Sequence, residues 1–165
     1  MHSLSFIAAL TFHLAVSSTA YAQAPAAVQV EFVQPEQFTD AGDSFNQVRP
    51  GTLKLLSNYL VKQAQSKLPA GQRLNIAITD IDLAGNFEPW NWQARDVRIV
   101  RDIYPPRIAL RYTLQDADGT VLREGERVLR NAAFQMTVLG SSSDLVRYEK
   151  ALLADWLASE FPLTQ

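Results

Sequence analysis

The chain has 165 residues, a length that fits one domain able to bury a hydrophobic core. Its 15 Lys and Arg residues nearly balance its 17 Asp and Glu residues, and this net charge of −2 argues against a general nucleic-acid-binding function. The sequence has no cysteine, which excludes disulfides, thiol catalysis and a lipid-modified N-terminal cysteine.

The first 22 residues have the pattern of a signal peptide. An apolar run at residues 4–16 precedes the small-x-small motif Ala20-Tyr21-Ala22, after which we expect cleavage. The segment before this run lacks Lys and Arg, which is atypical, but the run spans only about 20 Å as a helix, short of the roughly 30 Å hydrocarbon core of a membrane. We therefore expect a soluble periplasmic protein that begins at Gln23 and is neither a lipoprotein nor membrane-spanning.

Cleavage would remove both histidines of the chain, His2 and His13. The mature chain would then contain neither His nor Cys, the residues that most readily change charge near neutral pH or provide soft metal ligands. We expect no metal and no cofactor, and any catalysis would depend on carboxylates, hydroxyls or amines. This composition favours a binding function over an enzymatic one.

The first half of the mature chain predicts a strand, a helix and a second strand. After a short flexible lead-in at residues 23–27, apolar and polar side chains alternate over residues 28–32, as in a strand with one buried face. Residues 52–67 have leucines at helical spacing and predict an amphipathic helix. Residues 73–83 predict a strand whose apolar phase slips by one residue, which indicates a β-bulge near Asp80.

The second half predicts an antiparallel hairpin and a final helix. Residues 96–114 have an extended pattern, and the Asp- and Gly-containing turn at residues 116–119 leads into a returning strand over residues 120–131. Gly125 offers a bulge position in that strand. Residues 144–160 predict the last helix.

This order of elements predicts an α+β fold with two layers, formed as one globular domain over residues 28–165. The strand-helix-strand unit implies a parallel crossover, and the hairpin adds antiparallel strands, so the sheet should be mixed. We expect the two helices to pack on one face of this sheet. The opposite face, which carries Arg107 and Arg111, would be solvated or available to a partner.

Aromatic and basic side chains are concentrated between the second strand and the hairpin. Trp and Arg dominate the energetics of many protein interfaces, and aromatic faces provide large contact areas. We predict a binding surface formed by Trp90, Trp92, Arg95, Arg98, Arg101 and Tyr104. The alternative is that Trp90 or Trp92 closes the end of the core.

Three acidic residues also need an explanation. Glu149 falls within the apolar arc of the last helix, and because an unpaired buried carboxylate is costly, we expect a structural ion pair with Arg107 or Arg111. The alternative role for Glu149 is that of a catalytic acid with a raised pKa. Asp80 and Asp82 should lie on the same side of their strand, about 6–7 Å apart, a separation that glycosidase carboxylates also use, although a structural role is more typical.

Three segments, taken in order, resemble one bacterial family. They are LPAGQRLNIAITDIDLAG at residues 68–85, RDIYPPRIALRYTLQDADG at residues 101–119 and YEKALLADW at residues 148–156. Together they are similar to the exported family called domain of unknown function 3016. The resemblance implies one intact domain and names no activity, ligand or site residue.

Two functions are consistent with these observations. The first is a non-enzymatic binding or accessory domain of the cell envelope, which recognises a protein or a cell-wall component such as peptidoglycan through residues 90–104. The alternative is a carboxylate-based glycan hydrolase or lyase that uses Glu88, Glu149 or the pair Asp80 and Asp82. The enzyme needs a cleft with an acid facing it, whereas the binding domain needs an exposed aromatic surface.

Overall fold

The computed structural model describes residues 27–42, 47–137 and 143–162. The predicted signal peptide, its cleavage site and most of the lead-in lie outside these ranges. Besides a short 3₁₀-helix at Pro35–Gln37, the elements are β1 (Val28–Phe32), α1 (Pro50–Gln65), β2 (Arg73–Asp82), β3 (Asn86–Phe87), β4 (Arg98–Ile99), β5 (Arg107–Gln115), β6 (Val121–Arg130), α2 (Phe134–Thr137) and α3 (Arg147–Glu160).

Four strands form a mixed sheet in the order β1-β2-β5-β6. β1 and β2 are parallel and are joined by α1, whereas β2, β5 and β6 are antiparallel neighbours. β3 and β4 form a separate two-stranded sheet. The helices α1 and α3 pack on the four-stranded sheet and on each other, which confirms the predicted α+β fold. None of the helices in the described ranges has the length and apolar character needed to span a membrane.

The core lies between the sheet and the two long helices. Alternating residues of β2 and β5 are buried there together with one side of α1. These core residues are Leu74, Ile76, Ile78, Ile108, Leu110, Tyr112, Leu114, Leu56, Leu60 and Ala64. The opposite face of the sheet is not covered by either helix, and Arg111 is exposed there.

The predicted bulge in β2 is confirmed. Ile78 pairs with Leu110, and Asp80 pairs with Ala109, so Thr79 is the extra residue in the ladder. The bulge restores the apolar phase, because Ile81 returns to the buried face opposite Ile108.

The predicted bulge at Gly125 is wrong. Gly125 pairs directly with Tyr112, and the register of β5 and β6 shifts instead between Leu114 and Gln115, next to the turn. A Cβ atom at position 125 would lie 3.2 Å from Cε1 of Tyr112. Glycine at this position therefore allows the tyrosine ring to lie close to the neighbouring strand.

Several element boundaries differ from the prediction. α1 begins at Pro50, because proline fits the first turn of a helix, where its missing N–H is not needed. α3 begins at Arg147, which leaves Leu145 outside the helix and exposed. The extended pattern of residues 96–114 corresponds to two strands, Arg98–Ile99 and Arg107–Gln115, and residues 100–106 between them belong to no strand.

Candidate functional site

A loop at the end of the sheet carries the two predicted surface tryptophans. We call residues 88–105 the tryptophan loop. Within this loop, β4 pairs with β3, with Phe87 opposite Arg98, and this pairing closes residues 88–97, which carry both tryptophans. The N–H of Gly85 also donates a hydrogen bond of 3.0 Å to the carbonyl of Tyr104. The two ends of the loop are therefore joined by backbone contacts.

Arg98 fixes the loop to the segment that follows the 3₁₀-helix. Its Nη1 and Nη2 atoms each donate a 2.7 Å hydrogen bond to the carboxylate of Asp40. The same guanidinium donates to the carbonyls of Gly85 and Gly42 and lies 4.6 Å from the ring centre of Phe87. Both charged side chains of the pair are mostly buried. This bidentate geometry is the strongest form of a protein ion pair.

A second ion pair lies within the loop itself. Glu88 is only 2% exposed, and its Oε2 accepts a 2.9 Å hydrogen bond from Nη2 of Arg101. The hydroxyl of Tyr104 lies 3.5 Å from the other carboxylate oxygen. The charge of Glu88 is therefore balanced without any ligand.

The tip of the loop exposes apolar side chains. Trp90 is 70% exposed and Trp92 is 77% exposed, so neither indole closes the core. Val97 and Ile103 are exposed on the same loop. The backbone between residues 88 and 97 forms successive turns, in which the N–H groups of Asn91, Ala94 and Val97 donate to the carbonyls three residues earlier.

The structure divides the predicted binding surface into two groups. Trp90, Trp92 and Arg95 are exposed, as a binding surface requires. Arg98 and Arg101 form the ion pairs described above, although the side chain of Arg101 is 52% exposed, and Tyr104 is half-buried beside Glu88. Of the three predicted arginines, Arg98 is therefore mostly buried, whereas Arg95 and Arg101 are exposed.

Glu149 lies in the core, but not in the ion pair expected for it. The residue is 1% exposed, and its Oε1 accepts a 2.7 Å hydrogen bond from the N–H of Ala84. Its Oε2 is buried and has no hydrogen-bond partner among the residues that the structure describes. Arg107 bonds to Asp80 instead, and Arg111 is exposed on the other face of the sheet, so neither arginine reaches Glu149.

Burial raises the pKa of Glu149, and the hydrogen bond from Ala84 and the charge of Arg98 offset this only in part. A carboxyl whose pKa is higher in the folded state binds more protons there than in the unfolded chain. The free energy of unfolding must therefore fall as the pH rises from the ordinary value near 4.5 through the raised value of the folded state.

We expect Glu149→Gln to remove this pH dependence. The free energy of unfolding of the variant, relative to the wild type, should rise with pH over that window, because no buried carboxylate forms in the variant. Urea denaturation at a series of pH values measures it, with Glu36→Gln at an exposed position as the matched control. A difference between Glu149→Gln and the wild type that is the same at every pH would contradict the prediction.

Asp80 and Asp82 lie side by side on the open face of the sheet but have different environments. Asp80 accepts hydrogen bonds from the N–H and hydroxyl of Thr39 and from Arg107, the last at 2.5 Å. Burial raises the pKa of Asp80, but these donors outweigh it and hold the pKa below its usual value. Burial raises the pKa of Asp82, which Arg107 only partly opposes. Asp82 lines a cavity of 210 Å³ beside the base of the tryptophan loop.

The sequence did not indicate Asp40 as a site residue. Asp40 lies in an irregular connection, and 58 residues separate it from Arg98. The backbone of Asp40 pairs with the end of β2, where its N–H and carbonyl bond to Ile81 and Leu83. This pairing places its carboxylate beside the tryptophan loop, and no periodic pattern could have shown it.

Comparisons with known proteins agree with the resemblance seen in the sequence. The family model described as "Protein of unknown function (DUF3016)" matches residues 26–159. The chain belongs to this family. The matched segment includes the whole four-stranded sheet and nearly all of α3. The site described above therefore lies within the DUF3016 domain.

No curated protein matches the chain. Among solved structures, the chain is similar to a dodecamer of a PelC variant from Paraburkholderia phytofirmans, with 13% identity and a TM-score of 0.41. That match covers 85% of this chain and 93% of the PelC chain.

Proposed function

We propose that this protein is a non-enzymatic binding domain of the cell envelope that recognises a partner protein through the tryptophan loop. The observation that carries the proposal is the pair of indoles, Trp90 and Trp92, held in solvent by a loop whose base is fixed. The envelope location is supported by the signal-peptide pattern of the first 22 residues.

A fixed loop suits a binding surface. Exposed indoles offer large apolar areas, and Trp is among the residues that contribute most to binding energy. Association normally costs conformational entropy when loops become ordered. The ion pairs of Arg98 and Glu88 already order this loop, so less entropy would be lost when a partner binds.

The charge of the loop favours a protein over an anionic polymer as the partner. Arg98 and Arg101 are neutralised by Asp40 and Glu88, so they add little positive potential to the surface. The exposed side chains include Val97 and Ile103 as well as the indoles. Apolar area of this kind is typical of the centre of a protein–protein interface.

Photo-crosslinking in intact cells tests the proposal. A photoreactive amino acid at Gln93, next to Trp92, should give a discrete protein adduct. The same amino acid at Gln65, an exposed position at the end of α1, is the matched control and should give none. Replacing Trp90 and Trp92 with alanine should reduce the Gln93 adduct at least about tenfold, because hot-spot tryptophans contribute 2 kcal/mol or more each, on the order of a thirtyfold change in affinity.

The double alanine variant should fold normally. Because both indoles are exposed, their removal should change the free energy of unfolding by no more than about 0.5 kcal/mol. Equal adducts from positions 93 and 65 would overturn the proposal. If the adduct contains glycan instead of protein, the partner of the loop is a cell-wall component and not a protein.

The alternative, a carboxylate-based glycan hydrolase or lyase, would depend on Asp80 and Asp82. Glu88 and Glu149 are almost fully buried, so neither faces a substrate. Asp80 and Asp82 lie on the open face of the sheet, and Asp82 lines the 210 Å³ cavity. The position and raised pKa of Asp82 are the observations that keep this alternative open.

A further inference from the structure

The cavity beside the base of the tryptophan loop contains a row of charges. Asp82 lies opposite Arg107 in the pairing of β2 with β5, and Arg107 lies opposite Arg130 in the pairing of β5 with β6. Residues directly opposite each other in a sheet point to the same face. All three side chains line the cavity, together with Asn86 and Tyr104. A carboxylate and two guanidinium groups therefore form a row across three neighbouring strands.

Two of these charged groups form no hydrogen bond or ion pair within the described residues, although the charge of Arg107 acts on Asp82. Arg107 bonds to Asp80 and to the hydroxyl of Thr39. Within the part of the chain that the structure describes, the side chains of Asp82 and Arg130 make no hydrogen bond or ion pair. Like charges directly opposite in a sheet are destabilising, so the facing arginines favour an anion between them. The cavity thus offers a free cation for an anionic group and a free carboxylate for a hydrogen-bond donor.

The size of the cavity restricts what can bind. A volume of 210 Å³ lies below the roughly 300–1,000 Å³ of sites for drug-sized ligands, so a small terminal group fits better than a whole molecule of that size. Leu83, Ile103 and Pro105 provide apolar walls. The required group is therefore small, carries an anion and a neighbouring donor, and has a short apolar part.

The C-terminal residue of a peptide has this combination of groups. We infer that the cavity binds a peptide C-terminus, with the terminal carboxylate accepting hydrogen bonds from Arg107 and Arg130 and the last backbone N–H donating to Asp82. Arginine is well suited to this role, because its planar group binds carboxylates in a bidentate manner. The inference goes beyond the proposed function, since it does not require the exposed tryptophans.

Two sources could supply this chemistry. A protein ends in an L-residue, whereas the short peptides of cell walls can end in a D-residue. Both present a terminal carboxylate next to a backbone N–H. The chirality of the last residue therefore distinguishes the sources in an experiment that uses synthetic peptides.

An NMR titration of the ¹⁵N-labelled protein tests the inference. The probes are N-acetyl-trialanine with a free carboxylate, the same peptide ending in D-alanine, and the L-peptide as its C-terminal amide. We expect saturable shifts at Gly85, Asn86 and Tyr104 with a free-carboxylate peptide and none with the amide. Arg130→Gln should weaken binding about tenfold to a hundredfold, because hydrogen bonds to charged groups are lost. Lys62→Gln removes the same charge from an exposed position on α1 and should leave binding unchanged.

The controls separate this site from the exposed indoles, because the cavity shares only Ile103, Tyr104 and Pro105 with the tryptophan loop. Arg130 is exposed, so its replacement should preserve the fold, which the same spectra show directly. Alanine at positions 90 and 92 should leave the titration unchanged, so peptide binding can succeed or fail independently of partner capture by the loop. Equal binding of acid and amide, an absence of shifts with both acids, or unaltered affinity in Arg130→Gln would each overturn the inference.

Discussion

Arg98→Ala should lower the free energy of unfolding by about 3 kcal/mol, the lower end of the range for breaking a buried ion pair. The substitution removes both 2.7 Å hydrogen bonds to Asp40 and leaves that carboxylate buried without its cation. It also removes the donors to the carbonyls of Gly85 and Gly42. Chemical denaturation of the purified variant measures the loss.

Arg95→Ala is the matched control for this experiment. Arg95 lies in the same loop, but it is exposed, so its replacement should change the free energy of unfolding by no more than about 0.5 kcal/mol. The double variant Asp40→Ala/Arg98→Ala should lose less than the sum of the two single losses, because neither charge is then left alone. If Arg98→Ala and Arg95→Ala have equal effects, Arg98 does not anchor the loop.

The periodic elements of the fold could be predicted because burial repeats along the chain. Alternation in β2 and β5 and the leucine spacing of α1 follow from one face packing on the core. The bulge near Asp80 could also be predicted, because the extra residue shifts the alternation of apolar and polar side chains by one position. Gly125 was misinterpreted because a glycine in a strand accommodates either a bulge or a close neighbour, and only the position of Tyr112 decides between them.

The site was only partly predictable, because its contacts join distant parts of the chain. The exposed tryptophans were identified from residue type and local composition. The roles of Arg98 and Glu149 depend on partners that lie 58 and 65 residues away, Asp40 and Ala84. No sequence period connects such positions. A charged residue in a loop therefore gave no sign of whether it would bind a ligand or hold the loop in place.

Gly85 connects the core to the tryptophan loop. Its neighbour Ala84 donates to the buried Glu149, and the N–H of Gly85 itself donates to the carbonyl of Tyr104. Gly85 has a φ of +83°, a left-handed conformation that side chains disfavour. A Cβ atom there would lie 2.7 Å from the carbonyl oxygen of Ile99. Neither the backbone conformation nor the carbonyl can adjust without moving β4.

Gly85→Ala should therefore lower the free energy of unfolding by about 3 kcal/mol, the sum of a left-handed penalty and an overpacking cost. Gly51→Ala is the matched control, because a Cβ atom there meets no atom within 4 Å and alanine favours the helix. It should raise the free energy of unfolding by up to about 1 kcal/mol. Denaturation compares the two variants, and hydrogen exchange follows residues 88–105. Faster exchange in the loop without a change in global stability would mean that the loop opens on its own, and it would contradict the coupling through Gly85.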